Sequence, residues 1–190
     1  MNRISPLAIS SPLAMATPPF VAAVQRRTAS VAVGASTVRG IGPADTAARA
    51  RAHLAKLDLD KFCQPTEHRL RNTLDRETLA LMRSLPDGGR YWGLARKLLN
   101  IYMRDALYNK YLSKHYRLSA IERWLEVPLD SHVGKRLRSE FPGSPLPAWR
   151  TIKGLTPELS AVFQSAARVI ASDRGIAAVH LDLFYWRAGG

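Results

Sequence analysis

The sequence predicts an all-α fold, and three observations support this prediction. Apolar residues recur at helical spacing from residue 45 onward, and helix-capping residues precede several of these runs. The one run that alternates like a strand, residues 179–185, has no partner strand elsewhere in the chain. Because 190 residues suffice for one domain and a tail, we expect a single helical domain over residues 45–190.

Residues 1–44 are predicted to be a disordered leader. They are rich in Ser, Thr, Pro and Ala, contain no acidic residue and show no sustained apolar period. The composition fits a transit peptide, a bacterial secretion leader or a start codon assigned too early, and these readings stay open. The compartment is therefore undetermined: cytoplasm or nucleoid if the leader is not a signal, an organelle or the exterior if it is.

Four helices and one turn are predicted in the first half of the domain. The first helix begins at Asp45 and the second begins near Thr66. The third covers residues 79–85, with Asp75 or Thr78 as its cap. Residues 85–90, Leu-Pro-Asp-Gly-Gly-Arg, have the composition of a turn. A long helix with one apolar and one polar face is expected from about residue 91 to 115.

Four more helices are predicted in the second half. They cover residues 120–125, 131–138, 157–174 and 176–186. Thr156, Pro157 and Glu158 form a typical helix start, with a cap, a proline at the first position and an acid in the first turn. Gly175 is expected to end that helix. Residues 141–154, with three prolines and two glycines, are predicted to be a loop.

The charge of the predicted domain indicates a polyanionic partner. Residues 45–190 hold all 15 Asp and Glu and 24 of the 28 Lys and Arg, a net charge of +9. A domain this basic typically faces nucleic acid or an anionic membrane, and charge that serves only solubility is the alternative. No apolar run approaches the ~20 residues of a membrane helix, so we expect no membrane partner.

The single cysteine, Cys63, and the histidine spacing exclude a typical zinc site, and no nucleotide-binding motif is present. We therefore expect no metal and no cofactor.

A glycine turn and a lysine are the first candidates for chemistry. Gly88, Gly89 and Arg90 could bind a DNA phosphate through backbone N–H groups, and an ordinary helical hairpin is the alternative. Lys97 lies on the polar face of the long helix. It could act as a nucleophile that forms a Schiff base, or it could be a solvated surface lysine.

Two acidic segments complete the candidates. Asp130 could activate a nucleophile, or it could only cap the helix that begins at Ser131. Asp182 and Trp186 share a helix face in the segment that begins with His180. A carboxylate beside an aromatic plane suits an extruded purine, and a core Trp with a surface Asp is the alternative.

These segments, in this order, resemble the helix-hairpin-helix DNA glycosylase superfamily, with the closest likeness to the archaeal-type 8-oxoguanine DNA glycosylase/lyase. The residues that carry the resemblance are Lys97, the P-x-D-x-x-V segment around Asp130, and the H-x-D-x-x-x-W segment from His180 to Trp186. It implies a monomeric DNA N-glycosylase and AP lyase that excises an oxidised purine from double-stranded DNA. Lys97 would displace the base with help from Asp130, and Asp182 and Trp186 would bind it.

The sequence departs from the family pattern at three places. The turn has adjacent glycines in place of G-x-G, Ile101 stands where the family has an aromatic residue, and Ser131 stands where Pro is common. Ile101, Ser131 and His180 are still expected near the base. These departures affect the expected substrate more than the expected fold.

Four further basic residues are expected to contact phosphates because of their charge and their positions on helices. They are Arg96, Arg104, Lys135 and Arg136. Two other functions stay open at this point. One is a non-catalytic DNA-binding relative, and the other is a targeted or secreted effector-type protein that reuses the fold.

Overall fold

The computed structural model describes the backbone of residues 17–187 and the side chains of residues 17–185. Within this part of the chain the regular structure is helical and contains no strand, which confirms the all-α prediction. The α-helices are α1 (Pro18–Ala32), α2 (Thr46–Leu54), α3 (Glu67–Ser84), α4 (Trp92–Tyr108), α5 (Lys110–His115), α6 (Ser131–Glu140), α7 (Pro157–Asp173) and α8 (Leu181–Arg187). Short 3₁₀ helices cover Ala35–Val38, Leu59–Phe62, Asp87–Gly89, Leu118–Trp124, Ile152–Gly154 and Ala178–His180.

Two hydrophobic clusters form the core. The larger one lies among α1 to α5 and is filled by side chains such as Phe62, Leu98 and Tyr102, all without solvent exposure. The smaller one lies among α6, α7 and α8 and includes Phe163 and Tyr185. Helix α4 packs against elements of both clusters and so connects the two parts of the core.

The predicted disordered leader is wrong for residues 17–44. This segment forms α1 and the following 3₁₀ helix, and α1 packs against α2, α4 and α5. Ala29 and Val33 are fully buried, and the Gln25 side-chain amide donates to the Leu57 carbonyl at 2.6 Å. Small side chains bury well but give only a weak apolar pattern in the sequence, so the helix depends on tertiary packing. Residues 1–16 lie outside the described part of the chain.

Two predicted helix boundaries also differ. Helix α3 runs unbroken where two helices were expected, because Thr78 points its hydroxyl back to the Leu74 carbonyl instead of capping a new helix. The long helix expected over residues 91–115 is interrupted at Asn109. The Asn109 side-chain oxygen accepts from the N–H groups of Tyr111 and Leu112 and so caps α5.

The predicted caps in the second half are confirmed. The Thr156 hydroxyl accepts from the Leu159 N–H at the start of α7, and Gly175 follows its end with a φ of 66°. The short helix expected at residues 120–125 is the 3₁₀ helix Leu118–Trp124. The final segment is helical as predicted, with the 3₁₀ helix Ala178–His180 leading into α8.

Candidate functional site

A cavity of about 800 Å³ opens between α1, α4, the segment before α6 and the start of α8. Lys97, Ile101, Asp130 and Asp182, four of the residues predicted from the sequence to act together, line it. The structure thus brings together side chains that are up to 85 positions apart in the chain.

One face of α4 forms the floor of the cavity. Lys97, Ile101, Arg104, Asp105 and Tyr108 lie on this face and line the cavity. They occupy positions i, i+4, i+7, i+8 and i+11, which lie in one stripe of an α-helix. This spacing is the sequence signal that could have added Arg104, Asp105 and Tyr108 to the site once Lys97 was chosen.

Lys97 and Asp130 form an ion pair in the cavity wall. The ammonium Nζ lies 3.4 Å from Asp130 Oδ2, and the lysine side chain is only 13% exposed. The other carboxylate oxygen, Oδ1, accepts from the backbone N–H groups of His132 and Val133, both at 3.0 Å. Asp130 therefore caps α6 with one oxygen and faces Lys97 with the other, so the two interpretations of this residue are compatible.

The segment that presents Asp130 is held by a buried glutamine. The Gln164 side chain in α7 accepts from the Val127 N–H at 3.2 Å and donates to the Val127 carbonyl at 2.9 Å. Both backbone groups of Val127 are thus paired inside the core, where an unpaired group would cost about 1–3 kcal/mol. This contact fixes the backbone three residues before the catalytic candidate.

Asp182 also lines the cavity and is bound by Arg104. The Arg104 guanidinium donates to Asp182. It also donates to Asp105 Oδ1, from Nη2 at 2.8 Å and from Nε at 3.0 Å. Burial raises the pKa of Asp182 above its ordinary value; Asp130 and Asp105 act in the same direction, while Arg104 and Lys97 oppose it. The protonated form of Asp182 is therefore easier to reach than for a surface aspartate.

The remaining base-site predictions have mixed outcomes. Ile101 is in the cavity wall, but Ser131 is exposed at the start of α6 and does not line the cavity. His180 contacts Tyr108 and does not itself line the cavity, so the structure offers no support for its predicted contact with the base. Trp186 belongs to α8, and its side chain lies outside the described part of the structure.

Sequence reasoning missed one wall of the cavity. Helix α1 and the turn after it contribute Arg27, Thr28, Val31, Ser36 and Thr37. These residues fall in the segment that was expected to be disordered, so no local pattern pointed to them. They supply a cation, three hydroxyls and an apolar side chain to the cavity lining.

The predicted phosphate-binding turn is corrected by the structure. A Cβ on Gly89 would lie 3.1 Å from the Thr46 hydroxyl, and one on Gly42 would lie 2.9 Å from the Gly89 Cα. The N–H groups of Gly89 and Arg90 donate to carbonyls of the turn itself, and the Arg90 side chain pairs with Asp87 at 2.6 Å. Gly88, also close to the 42–46 segment, and Gly89 therefore allow close packing, and the turn is not an open phosphate cradle.

Two arginines predicted to contact phosphates are paired with carboxylates of the protein. Arg96 is 5% exposed and binds both carboxylate oxygens of Glu126, at 2.8 and 2.9 Å. Arg104 is engaged by Asp182 and Asp105 in the cavity. The burial of Arg96 leaves no room for a phosphate contact. Arg104 lines the cavity, so its contact with a phosphate stays a prediction.

Helix α6 carries the other two basic residues that were predicted to contact phosphates. Lys135 is exposed, while Arg136 is half-buried and has interactions within the protein. Their contact with phosphate stays a prediction.

Within residues 17–185, no group of His, Cys, Asp and Glu side chains has an arrangement that could hold a metal ion. No helix in the described part of the chain is both long and apolar enough to cross a membrane. No protein-family model, curated protein or solved structure matches this chain.

Proposed function

We propose that this protein is a DNA N-glycosylase with AP-lyase activity that excises an oxidised purine, of the 8-oxoguanine type, through a Schiff base on Lys97. The observation that carries the proposal is the Lys97–Asp130 pair, a mostly buried ammonium 3.4 Å from a carboxylate, inside a cavity of about 800 Å³. Sites for small ligands commonly enclose roughly 300–1,000 Å³. The volume is sufficient for one nucleobase and its sugar extruded from a duplex.

Lys97 supplies the nucleophile. Asp130 takes a proton from the ammonium, and the resulting amine attacks C1′ of the deoxyribose. The bond between C1′ and the base breaks, and its electron pair leaves with the base, which takes up a proton. Ring opening then gives a Schiff base between C1′ and Lys97. Loss of a C2′ proton expels the 3′ phosphate by β-elimination and cuts the strand.

Asp130 is suited to this role because its geometry is restrained. Two backbone N–H groups hold Oδ1, so Oδ2 keeps its direction toward Lys97 without a rotamer search. The same carboxylate can stabilise positive charge that develops on the sugar as the base leaves. Its side chain is 35% exposed, which leaves room for a ligand on the cavity side.

The opposite side of the cavity binds the base in this proposal. Asp182 faces the cavity with a raised pKa, and Arg104 restrains its carboxylate. A carboxyl group of this kind can accept from or donate to the polar edge of a purine. Ile101 and Val31 supply apolar contact with the base plane. The net charge of +9 over residues 45–190 favours binding to double-stranded DNA.

Borohydride trapping tests the proposal. The full-length protein is mixed with a duplex that carries one 8-oxoguanine, and with the same duplex carrying an abasic site, and the Schiff base is reduced to a stable adduct. We expect an adduct with both duplexes, no adduct for Lys97→Ala, and full adduct for Lys114→Ala, an exposed lysine on α5. An adduct that persists in Lys97→Ala excludes Lys97 as the nucleophile.

Salt-dependent binding separates the proposal from its alternatives. A non-catalytic DNA-binding protein would bind the duplex without forming an adduct, with a log–log salt slope of roughly −4.5 for about five phosphate contacts. A flat salt dependence would argue against both functions and favour a protein whose partner is not DNA.

A further inference from the structure

Tyr108 is a cavity residue that the proposed reaction leaves without a role. It ends α4 on the same face as Lys97 and Arg104, and it is 43% exposed in the cavity wall. Its hydroxyl lies 2.7 Å from Nδ1 of His180, and the two rings are within 13° of parallel. The phenol is therefore held in one orientation by a partner outside the cavity.

His180 is held in turn by Glu122. The imidazole Nε2 lies 2.7 Å from Glu122 Oε1, so both ring nitrogens are engaged. The three side chains come from α4 and from the 3₁₀ helices Leu118–Trp124 and Ala178–His180, and only the tertiary structure connects them. We call this arrangement the Glu122–His180–Tyr108 relay.

The donor and acceptor roles in the relay follow from the chemistry of its ends. An ionised carboxylate can only accept, so the Glu122 contact requires the proton of neutral His180 on Nε2. Nδ1 then has a free lone pair and accepts the hydroxyl proton of Tyr108. Burial raises the pKa of Tyr108, with Asp182 and Glu122 acting in the same direction and Arg104 opposing, so the phenol retains the proton that it donates. The Tyr108 oxygen consequently has free lone pairs and no proton left to donate.

We infer that the Glu122–His180–Tyr108 relay makes the Tyr108 oxygen a hydrogen-bond acceptor for an N–H group of the extruded base, with His180 and Glu122 as positioning residues; this inference rests on the proposed glycosylase function. It assigns the site a preference for a base that presents a ring N–H at this edge. A base with an unprotonated ring nitrogen at this edge would place that nitrogen against the Tyr108 oxygen, and neither acceptor would have a donor. Such a base should be rejected strongly, because unpaired buried polar groups cost more than a lost apolar contact.

Tyr108→Phe is the first test, since it removes the oxygen and keeps the ring. Single-turnover base release is measured on the 8-oxoguanine duplex, and borohydride trapping is measured on the abasic duplex. We expect base release to slow about fivefold to tenfold, the range for one lost hydrogen bond. Adduct formation on the abasic duplex is expected to stay unchanged, because no base is present to bind. Tyr111→Phe, a tyrosine on α5 outside the cavity, should change neither rate.

The second test asks whether Glu122 acts through Tyr108. Glu122→Ala frees the His180 tautomer, so we expect slower base release in the wild-type background and no further slowing when Tyr108 is already Phe. Losses that multiply in the double variant would overturn the relay. His180→Phe, which keeps a ring beside Tyr108, tests the same link should Glu122→Ala have a lowered melting temperature.

The outcomes separate the inference from the proposed function. If the wild-type protein forms no adduct on the abasic duplex and releases no base, the proposed function fails, and the inference fails with it. If the wild-type protein is active and Tyr108→Phe releases the base at the same rate, the inference alone is overturned. A loss in Tyr108→Phe that is equal on both duplexes would mean that Tyr108 supports the fold of the site and does not bind the base.

Discussion

Arg96 and Lys97 are neighbours on α4, and their surroundings differ completely. Arg96 binds both oxygens of Glu126 and also contacts Asp75 and Thr78, each at 3.0 Å, within a closed polar cluster. Lys97 has a single carboxylate at 3.4 Å and an open cavity beside it. A fully paired buried charge maintains structure, whereas a mostly buried charge with one partner and free space beside it is available to a ligand.

The difference arises from the geometry of a helix. Successive residues are about 100° apart around the axis, so Arg96 faces the α3 side and Lys97 faces the cavity. Burial opposes ionisation of Glu126, but Arg96 and Asn100 outweigh it and lower the pKa of this carboxyl. In the cavity, burial prevails at Asp182 and raises its pKa. The two carboxyls are thus shifted in opposite directions on the two sides of one helix.

Removal of the lysine amine should give the largest effect on activity. For Lys97→Ala we expect base release and strand cleavage to fall by several orders of magnitude, because the nucleophile is lost. The free energy of unfolding should change by only about 1 kcal/mol, because Asp130 is 35% exposed and keeps its two backbone N–H partners when the lysine is removed. Single-turnover kinetics and urea unfolding check both values. Unchanged activity would place Lys97 with Arg96 as a structural residue.

Removal of Glu126 should give the largest effect on stability. Glu126→Ala leaves Arg96 buried without its bidentate partner, and breaking a buried pair typically costs about 3–5 kcal/mol. Asp75→Ala, at an exposed carboxylate that pairs with the same arginine, is the matched control and should cost less than about 1 kcal/mol. Urea unfolding measures the free energy of unfolding of both variants. Equal small losses would contradict a stabilising role for the Arg96–Glu126 pair.

Asp130→Asn separates the two roles of that residue. Asparagine caps helices as well as aspartate, so we expect the free energy of unfolding to change by less than about 0.5 kcal/mol. Base release should slow by about 10²-fold, because the amide cannot take a proton from Lys97. If the variant keeps the full rate and the full stability, Asp130 only caps α6 and does not take part in the reaction.

The smallest expected effect is on how stability varies with pH. The folded pKa of Asp182 is raised, so the stability it contributes is complete below its ordinary value of 3.8 and is lost as pH rises through the folded value. The folded pKa of Glu126 is lowered, so its contribution is present above 4.5 and is lost as pH falls. Asp182→Asn should therefore reduce the loss of stability on the alkaline side of this range, and Glu126→Gln the loss on the acid side. Thermal unfolding from pH 3 to 7, roughly the interval in which carboxyl groups titrate, measures both, and slopes of the same sign would contradict the pKa shifts.

Much of the helical framework could be predicted from local sequence. The caps at Thr156 and Asp130 and the glycine after α7 lie where expected. The break at Asn109 was missed because the apolar stripe of α4 continues across it. The extra helix boundary within α3 was predicted because Asp75 and Thr78 are residue types that often cap helices. In both cases a side-chain hydrogen bond to a backbone group three or four residues away decides whether the helix continues or ends.

Three residues of the candidate site were predicted from the sequence, whereas the part of the cavity lining that α1 supplies was not. Lys97, Asp130 and Asp182 do line one cavity. Arg104 was assigned to phosphate because its charge was visible in the sequence and its carboxylate partner, 78 positions away, was not. His180 was placed against the base, although it is engaged by Tyr108 and Glu122.

The sequence by itself determined the all-α character, the helix caps and the i, i+4 stripe of α4, since each depends on hydrogen bonds and spacings within a few residues. Only the tertiary structure decided that α1 belongs to the fold, that Arg96 is buried while Lys97 faces a cavity, and that the glycine turn is covered by residues 42–46. Those outcomes depend on which faces pack together and on where distant carboxylates lie. Such contacts are made between segments far apart in the chain, so no local pattern of residues records them.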